Sequence, residues 1–408
     1  MTLQQTQIDL VVVGGGLTGL ALASATAGAG ADVLLIDPVP WPTSTAAPFD
    51  GRVTAIARAS RYFLEGIDVW QAMADDATAI NDIEVSDDGL CSAVRYDHRE
   101  VGQEPLGHIV ENRRIRAALV ARANELSGKS LTLAIPDKVA AIERHDRGVS
   151  VTLETGRVVQ ARLVIGADGR NSYCRKEAGI EMLHWAYGQT GIVATIAHQE
   201  PHDGLAVERF FPSGPLAILP MTDNRSSIVW AAEDDLAASL IALDDESFID
   251  ELQERFDPRL GAISLAGARF HYPLSMTQSK RYTDRRLALI GDAARTIHPI
   301  AGQGWNLAVR DVAALTELTV DTLRLGLDPG ASSVLERYER WRRFDSLALI
   351  AITDGLNRLF ANDFTPVRLA RELGLGLVQH TPPLKRFFMH HAMGLVGDLP
   401  RLMRGEAL

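Results

Sequence analysis

The segment IDLVVVGGGLTGLALASATAGAGADVLLID, residues 8–37, leaves the chain little freedom. Ile8 to Val13 and Val33 to Ile36 are short apolar runs rich in β-branched residues, and the small-residue stretch between them has helical length, which predicts a β-α-β unit. Directly after the first run, Gly14, Gly16 and Gly19 stand at the spacing G-x-G-x-x-G. That spacing serves a tight turn, close approach of backbone to a pyrophosphate, and close packing of helix on strand. The helix start then offers unpaired N–H groups and the positive end of its dipole to the anion. Asp37 closes the second run about 20 residues on, where a carboxylate accepts hydrogen bonds from a ribose. A dinucleotide site is predicted, with NAD and FAD both open at this point.

Two later segments have the same design of apolar run, glycine and acid. ARLVIGADGRNS carries Leu163 to Ile165 ahead of Asp168 and Arg170, and LALIGDAARTIHPIAGQGWNLAVRD carries Leu287 to Ile290 ahead of Asp292. Both read as further strands of a nucleotide-binding sheet. In the second, Gly302 and Gly304 would let backbone approach a planar ring, while Asn306 and the helix after it supply N–H groups to developing negative charge. Pro299 would stiffen the turn. His298 is the candidate acid–base catalyst, although spacing assigns it no carboxylate partner. Between these segments GIVATIAHQE, AVERFFPSGPLAILPM and RSSIVWAAED are closely spaced strand candidates, which suggests an inserted antiparallel sheet. From about Glu336 the pattern is amphipathic helix, interrupted at Thr381-Pro382-Pro383.

Composition narrows the function. The chain has 408 residues, 46% hydrophobic and 23% charged, enough for two domains and a large core. A net charge of -11 argues against a nucleic-acid partner, because phosphate neutralisation needs clustered Lys and Arg. Cys91 and Cys174 stand apart, so neither a disulfide framework nor a cysteine zinc site is expected, and no metal is called for. No leader pattern and no long uninterrupted apolar run is found, which predicts a cytoplasmic protein without a spanning helix. A G-x-S-x-G segment is missing, which disfavours hydrolase chemistry.

Taken in order, VVVGGGLTGL, VIGADGRNS and LIGDAARTIHPIAGQGWNLAVRD resemble the fingerprints of the flavoprotein aromatic hydroxylases with a p-hydroxybenzoate-hydroxylase-like fold, and the resemblance extends over nearly the whole chain. It implies an α/β protein with a Rossmann-like FAD-binding domain of residues 1–85, 108–181 and 272–345. An antiparallel β-sheet substrate domain of residues 86–107 and 182–271 would be inserted in it, and residues 346–408 would form a C-terminal helical region. Both glycine-rich segments would then grip one extended FAD. Asp292 would lie on the ribitol, and the loop and helix start with Gly302, Gln303, Gly304 and Asn306 would face the isoalloxazine and pyrophosphate. Asp168 would lie between FAD and the approaching nicotinamide nucleotide. Arg52, in FDGRVTAIARAS, matches an arginine near the flavin, and IVENRRIRAAL matches a helix whose start nears the cofactor, with Asn112 or Arg113 the contact.

Within that family VERFFPSGPLAILPM, SSIVW and HPIAGQGWNLAVRDV are most similar to the ubiquinone-biosynthesis hydroxylases. The resemblance implies a polyprenylated phenol or quinol as substrate, NAD(P)H as reductant and O₂ as co-substrate, with one oxygen atom passed to the ring. Asp37 stands where the family more often has Glu; either carboxylate can hold a ribose. Phe210, Phe211, Leu219 and Trp305 are the expected pocket lining. The segments Val367 to Leu377 and Leu384 to Leu395 mix apolar positions with Arg368, Arg371, Lys385 and Arg386, a pattern that suits a membrane face, a packing helix, or the surface of a biosynthetic complex or homo-oligomer. A monooxygenase of a small soluble aromatic, an oxygen-independent flavoprotein reductase and a non-catalytic FAD-binding partner would share the same fingerprints. A halogenase is disfavoured because no W-x-W-x-I-P segment occurs.

Overall fold

A computed structural model of the chain describes residues 8–41, 51–87, 93–297, 302–360 and 365–408. The described residues begin with β1 (Ile8–Val13), α1 (Leu17–Gly28), β2 (Val33–Ile36), β3 (Val53–Ala57), α2 (Arg58–Gly66), β4 (Thr78–Ile80), β5 (Asp82–Asp87) and β6 (Ala93–Asp97). Next come β7 (Gly107–Glu111), α3 (Asn112–Leu126), β8 (Leu131–Ala134), β9 (Val139–His145), β10 (Gly148–Leu153), β11 (Val158–Gly166) and α4 (Tyr173–Glu177). A strand-rich stretch follows with β12 (Met182–His198), β13 (Leu205–Phe211), β14 (Gly214–Met221), β15 (Arg225–Glu233), α5 (Asp234–Ala242), α6 (Asp245–Arg255), β16 (Ile263–Leu265) and β17 (Phe270–Ser279). The remainder is β18 (Thr283–Asp284), β19 (Leu287–Leu289), β20 (Arg295–Thr296), α7 (Gln303–Arg324), α8 (Ser332–Phe360), α9 (Thr365–His380) and α10 (Pro382–Ala392).

The first sheet has the order β18-β19-β11-β1-β2-β8, with β10 and β9 added beside β11. From β19 to β8 its neighbours run parallel. Strands buried on both faces read as continuous apolar runs, as VVV and VLLI do here. The register aligns Val13 with Ile36 and Gly166, and Gly166 with Leu289. Four carboxyl ends therefore lie in one row, where open parallel sheets bind ligands. Helix α1 covers this sheet with Leu20 and Leu22, both fully buried; each such Leu contributes roughly 2 kcal/mol.

The second sheet has the order β20-β17-β12-β15-β14-β13-β5-β6, with β16 on β12. It departs from the sequence expectation in two ways. It is mixed rather than antiparallel, since β13 pairs parallel with β5. It also reaches past residues 182–271, through β5, the end of β17 and β20, because the long bulged β12 holds β17 along its whole length. Similarly, α8 runs unbroken across position 346, with α7 packed on it. One face of the sheet packs under α5 and α6 around Trp230, Phe248 and Leu252. The other meets the small sheet β3-β7-β4 and α10 through Ala206, Leu219, Ile109, Met389 and Met393. The predicted break at Thr381-Pro382-Pro383 is present: α9 ends at His380 and α10 starts at Pro382, the first-turn position that proline tolerates.

Candidate functional site

The turn after β1 has no room for side chains at two of its glycines. Gly14 has φ +108°, and a Cβ there would come 2.4 Å from the Ala167 carbonyl oxygen; at Gly19 it would come 1.8 Å from that of Gly14. At Gly16, by contrast, a Cβ would meet nothing within 4 Å. Gly14 and Gly19 thus serve turn and packing, while Gly16, at the start of α1, borders open space. Beside it, Asp37 accepts hydrogen bonds from the Gly15 N–H and, at 2.8 Å, the Val39 N–H. The Trp41 indole N–H is buried there without a partner among the described residues, a donor left for a ligand.

Two neighbouring loops complete that edge. Asp168, one residue beyond Ala167, accepts from the Cys174 N–H at 3.0 Å, and its other oxygen is buried without a partner among the described residues. Desolvation, and then the nearby Asp168 carboxylate, push the buried Cys174 thiol up; Cys91 lies outside the described residues. Gly291 follows β19 with φ +57°, and a Cβ on it would come 3.0 Å from Thr18 of α1. The two glycine-rich segments, far apart in the chain, are therefore in contact. A cavity at that junction is lined by Asp292, Arg295, Thr296, Gly304, Leu307 and Ala308, among others. Asp292 is solvent-exposed at the edge of this cavity, and desolvation by the surrounding protein raises its pKa against the lowering pull of Arg170 and Arg295.

The underside of this loop is braced by charge. Asp311 of α7 accepts from Gly291 N–H at 3.0 Å, Arg295 at 2.8 Å and Arg342 Nε at 2.9 Å, all buried. Arg342 and Arg310 both pair with Asp345. Burial lowers the Arg295 pKa, but the Asp311 carboxylate more than restores it and keeps the guanidinium charged. Arg175, also buried, donates to the carbonyls of Ala293 at 2.9 Å and Arg170 at 2.8 Å, tying the second fingerprint to the third. Neither Asp311 nor Arg175 was singled out from sequence. Neither carries a distinguishing sequence signal, since Arg310 stands beside Asp311 and Lys176 and Glu177 follow Arg175.

The remaining expected cofactor residues fall into three groups. Gly302 takes a left-handed conformation, φ +61°, at the start of α7 and abuts Ala55 of β3; Gln303 and Gly304 form the first turn, with open space at Gly304. Asn306 is spent on the protein: its amide accepts from Ala57 N–H at 2.9 Å and donates to Ala55 O at 2.8 Å, so it fixes α7 to β3 rather than presenting a side chain to a ligand. Arg52 is exposed, and its carbonyl receives Asn112 N–H at 3.0 Å. Asn112 also accepts from Thr54 at 2.6 Å. Arg113 pairs with Glu111 at 2.5 Å, and Glu111 reaches Arg225 at 3.5 Å. His298 and Pro299 lie outside the described residues.

For the substrate side, strand alternation divides the expected residues. Leu219 packs on the face of the large sheet that meets β3 and α10, and Phe210, buried at 4% exposure, stands on that face four residues along β13 from Ala206. Phe211 is a correction. It packs against the cluster under α5 and α6, on the opposite face, because successive strand residues point to opposite sides. Trp305 also departs from expectation: it packs against the core of the first sheet, with its indole N–H buried and unpartnered among the described residues.

Known proteins resemble the chain over most of its length. A family model described as FAD binding domain matches residues 7–349. The ubiquinone hydroxylase UbiL of Rhodospirillum rubrum is 48% identical over 403 residues, covering 98% of this chain and 93% of that protein. The 3-demethoxyubiquinol 3-hydroxylase of Escherichia coli is 35% identical over 399 residues, covering 97% and 100%. The crystal structure of p-nitrophenol 4-monooxygenase from Pseudomonas putida superposes with a TM-score of 0.78 at 18% identity, over 96% of this chain and 99% of that one.

Proposed function

The chain belongs to the FAD-dependent hydroxylases of ubiquinone biosynthesis, and on that premise we propose how its residues divide the work. The observation that carries the reading is the contact of Gly291 with Thr18, which joins the two glycine-rich segments into one groove along the carboxyl ends of the first sheet. The open backbone at Gly16 and the start of α1 would receive the pyrophosphate. Asp37 and the Trp41 N–H would hold the adenosine end, and Asp292 the ribitol hydroxyls. The fit rests on those unfilled features: open space at Gly16 and Gly304, and the unpartnered Trp41 N–H and Asp168 oxygen. FAD, when bound, supplies reduction by a nicotinamide nucleotide and the activation of O₂.

The protein's own contribution would be position and dryness. Asn306 keeps the first turn of α7 against β3, and the free backbone N–H groups of that turn would serve the flavin ring. Leu219, Ala55 and Met389 exclude water from the space between the two sheets. A polyprenylated ring would enter from the C-terminal helices, which leave Phe344 80%, Leu373 75% and Leu377 60% exposed. No described helix is long and apolar enough to cross a membrane, so the reading is a surface contact with lipid. The test is anaerobic reduction of the purified flavoprotein by NAD(P)H, then addition of O₂ and a short-tailed polyprenylphenol. A product heavier by one oxygen is expected; reduction that yields only peroxide with every such ring would overturn the substrate assignment.

A further inference from the structure

One carboxylate in the large sheet has no place in the account so far. Val85 of β5, Glu208 of β13, Ala217 of β14, Val229 of β15, Val193 of β12 and Phe270 of β17 stand in register as a row across one face. Glu208 is the polar member of an otherwise apolar row. The face is the one that carries Ala206 and Leu219 against β3 and α10, and Glu208 lies about 7 Å along the strand from Ala206. Glu208, Ala217 and Val229 keep accessible surface although they sit in the middle of the sheet, so they border internal space. The row ends at Phe270, whose ring lies against Gly51, just before β3, and Ala55 of β3 in turn meets Gly302 at the start of α7. The same strand thus borders the carboxylate's row and the loop expected at the flavin.

Glu208 has no hydrogen-bond or ion-pair partner among the described residues, while the charges packed around its face are matched elsewhere. Arg371 of α9 pairs with Asp87 of β5 at 2.9 Å, and Lys385 of α10 pairs with Glu100 at 2.6 Å. Arg209, next in the strand, points to the other face and donates to the Arg255 and Phe256 carbonyls. His391 of α10, lowered mainly by burial, feels Arg310 and Asp345. The phenols on this face, Tyr96 of β6 and Tyr272 of β17, are both raised by burial, Tyr96 to about 12. Burial likewise pushes Glu208 up to about 7, the range in which a general base works at neutral pH.

We propose that Glu208 is a catalytic residue of the hydroxylation, which binds the hydroxyl of the substrate ring and accepts its proton. The proposal rests on the hydroxylase reading above. In the step, the substrate O–H bond breaks, the proton passes to a carboxylate oxygen of Glu208, and the electron pair remains on the ring oxygen. No electron leaves the substrate. The ring becomes a stronger nucleophile toward the incoming oxygen, and the proton returns to solvent once the product has left.

The test compares wild type, Glu208→Gln and Glu208→Asp as holoenzymes, reading flavin content, anaerobic reduction by NAD(P)H, and hydroxylated product against pH with a short-tailed polyprenylphenol. Glu208→Gln should keep its flavin and its reduction rate but hydroxylate on the order of 10²- to 10⁴-fold more slowly, releasing peroxide instead. Glu208→Asp should recover part of the rate. In wild type, product formation should rise with pH through about 7, and Glu208→Gln should lose that limb. Hydroxylation by Glu208→Gln at the wild-type rate would overturn the proposal, as would a wild-type profile flat through that range. Loss of flavin from Glu208→Gln would overturn it too, by making the residue structural. A wild type that never hydroxylates would refute the hydroxylase reading itself, a result told apart by reading the wild type first.

Discussion

Three glycines of one motif do different work, and substitution separates them. Gly19→Ala would drive a Cβ to 1.8 Å from a backbone oxygen, so the expected outcome is an insoluble or unfolded protein in expression trials. Gly16 has φ -69° and open space. Gly16→Ala should therefore keep apo stability within about 1 kcal/mol while lowering the FAD content of the purified protein. Glu208 makes a second residue-scale prediction that does not depend on catalysis. Its folded pKa lies above the ordinary 4.5, at about 7, so the folded state holds its proton more tightly than the unfolded chain. Wild-type stability falls as pH rises between those values. Glu208→Gln should be more stable than wild type by about 3 kcal/mol above pH 7, with the gap closing toward pH 4.5, as read by urea denaturation at a series of pH values. The alternation Ala206, Glu208, Phe210 is visible in AVERFF; which face it occupies is not, because both faces of the sheet are covered.

At the scale of elements, the site is held by attachments between segments that each look ordinary alone. Helix α7 is fixed to β3 by Asn306 and to the Asp292 loop by Asp311. Asp311→Asn would leave Arg295 and Arg342 buried with one hydrogen-bonding anion fewer. The expected loss is about 3–5 kcal/mol, measured by chemical denaturation, together with weaker FAD retention because the loop carrying Gly291 loses its anchor. The apolar runs and the proline break at Thr381-Pro382-Pro383 were legible as elements, since periodicity and backbone chemistry are local. The parallel pairing of β13 with β5 was not. It joins residues more than a hundred positions apart, and neither segment carries a mark of its partner.

Over the whole molecule, the large sheet, the small sheet β3-β7-β4 and α10 share one apolar cluster, which is where the proposed reaction space would lie. Leu373 and Leu377 are four residues apart on α9, hence on one face, and both are exposed. On the proposed lipid contact, wild type should sediment with phospholipid vesicles and Leu373→Glu with Leu377→Glu should not, while flavin reduction by NAD(P)H stays unchanged. By itself the sequence determined that this protein binds a dinucleotide, since G-x-G-x-x-G between two apolar runs constrains backbone geometry locally. Together, the three fingerprints implied one extended flavin. Tertiary structure alone decided that Gly291 touches Thr18, that Asn306 faces β3, that Phe211 packs under α5 and α6, and that Glu208, without a partner among the described residues, stands in an apolar row. The physical reason is that strand register and the choice of covered face are set by long-range packing, whereas turn, cap and periodicity are set by neighbours in the chain.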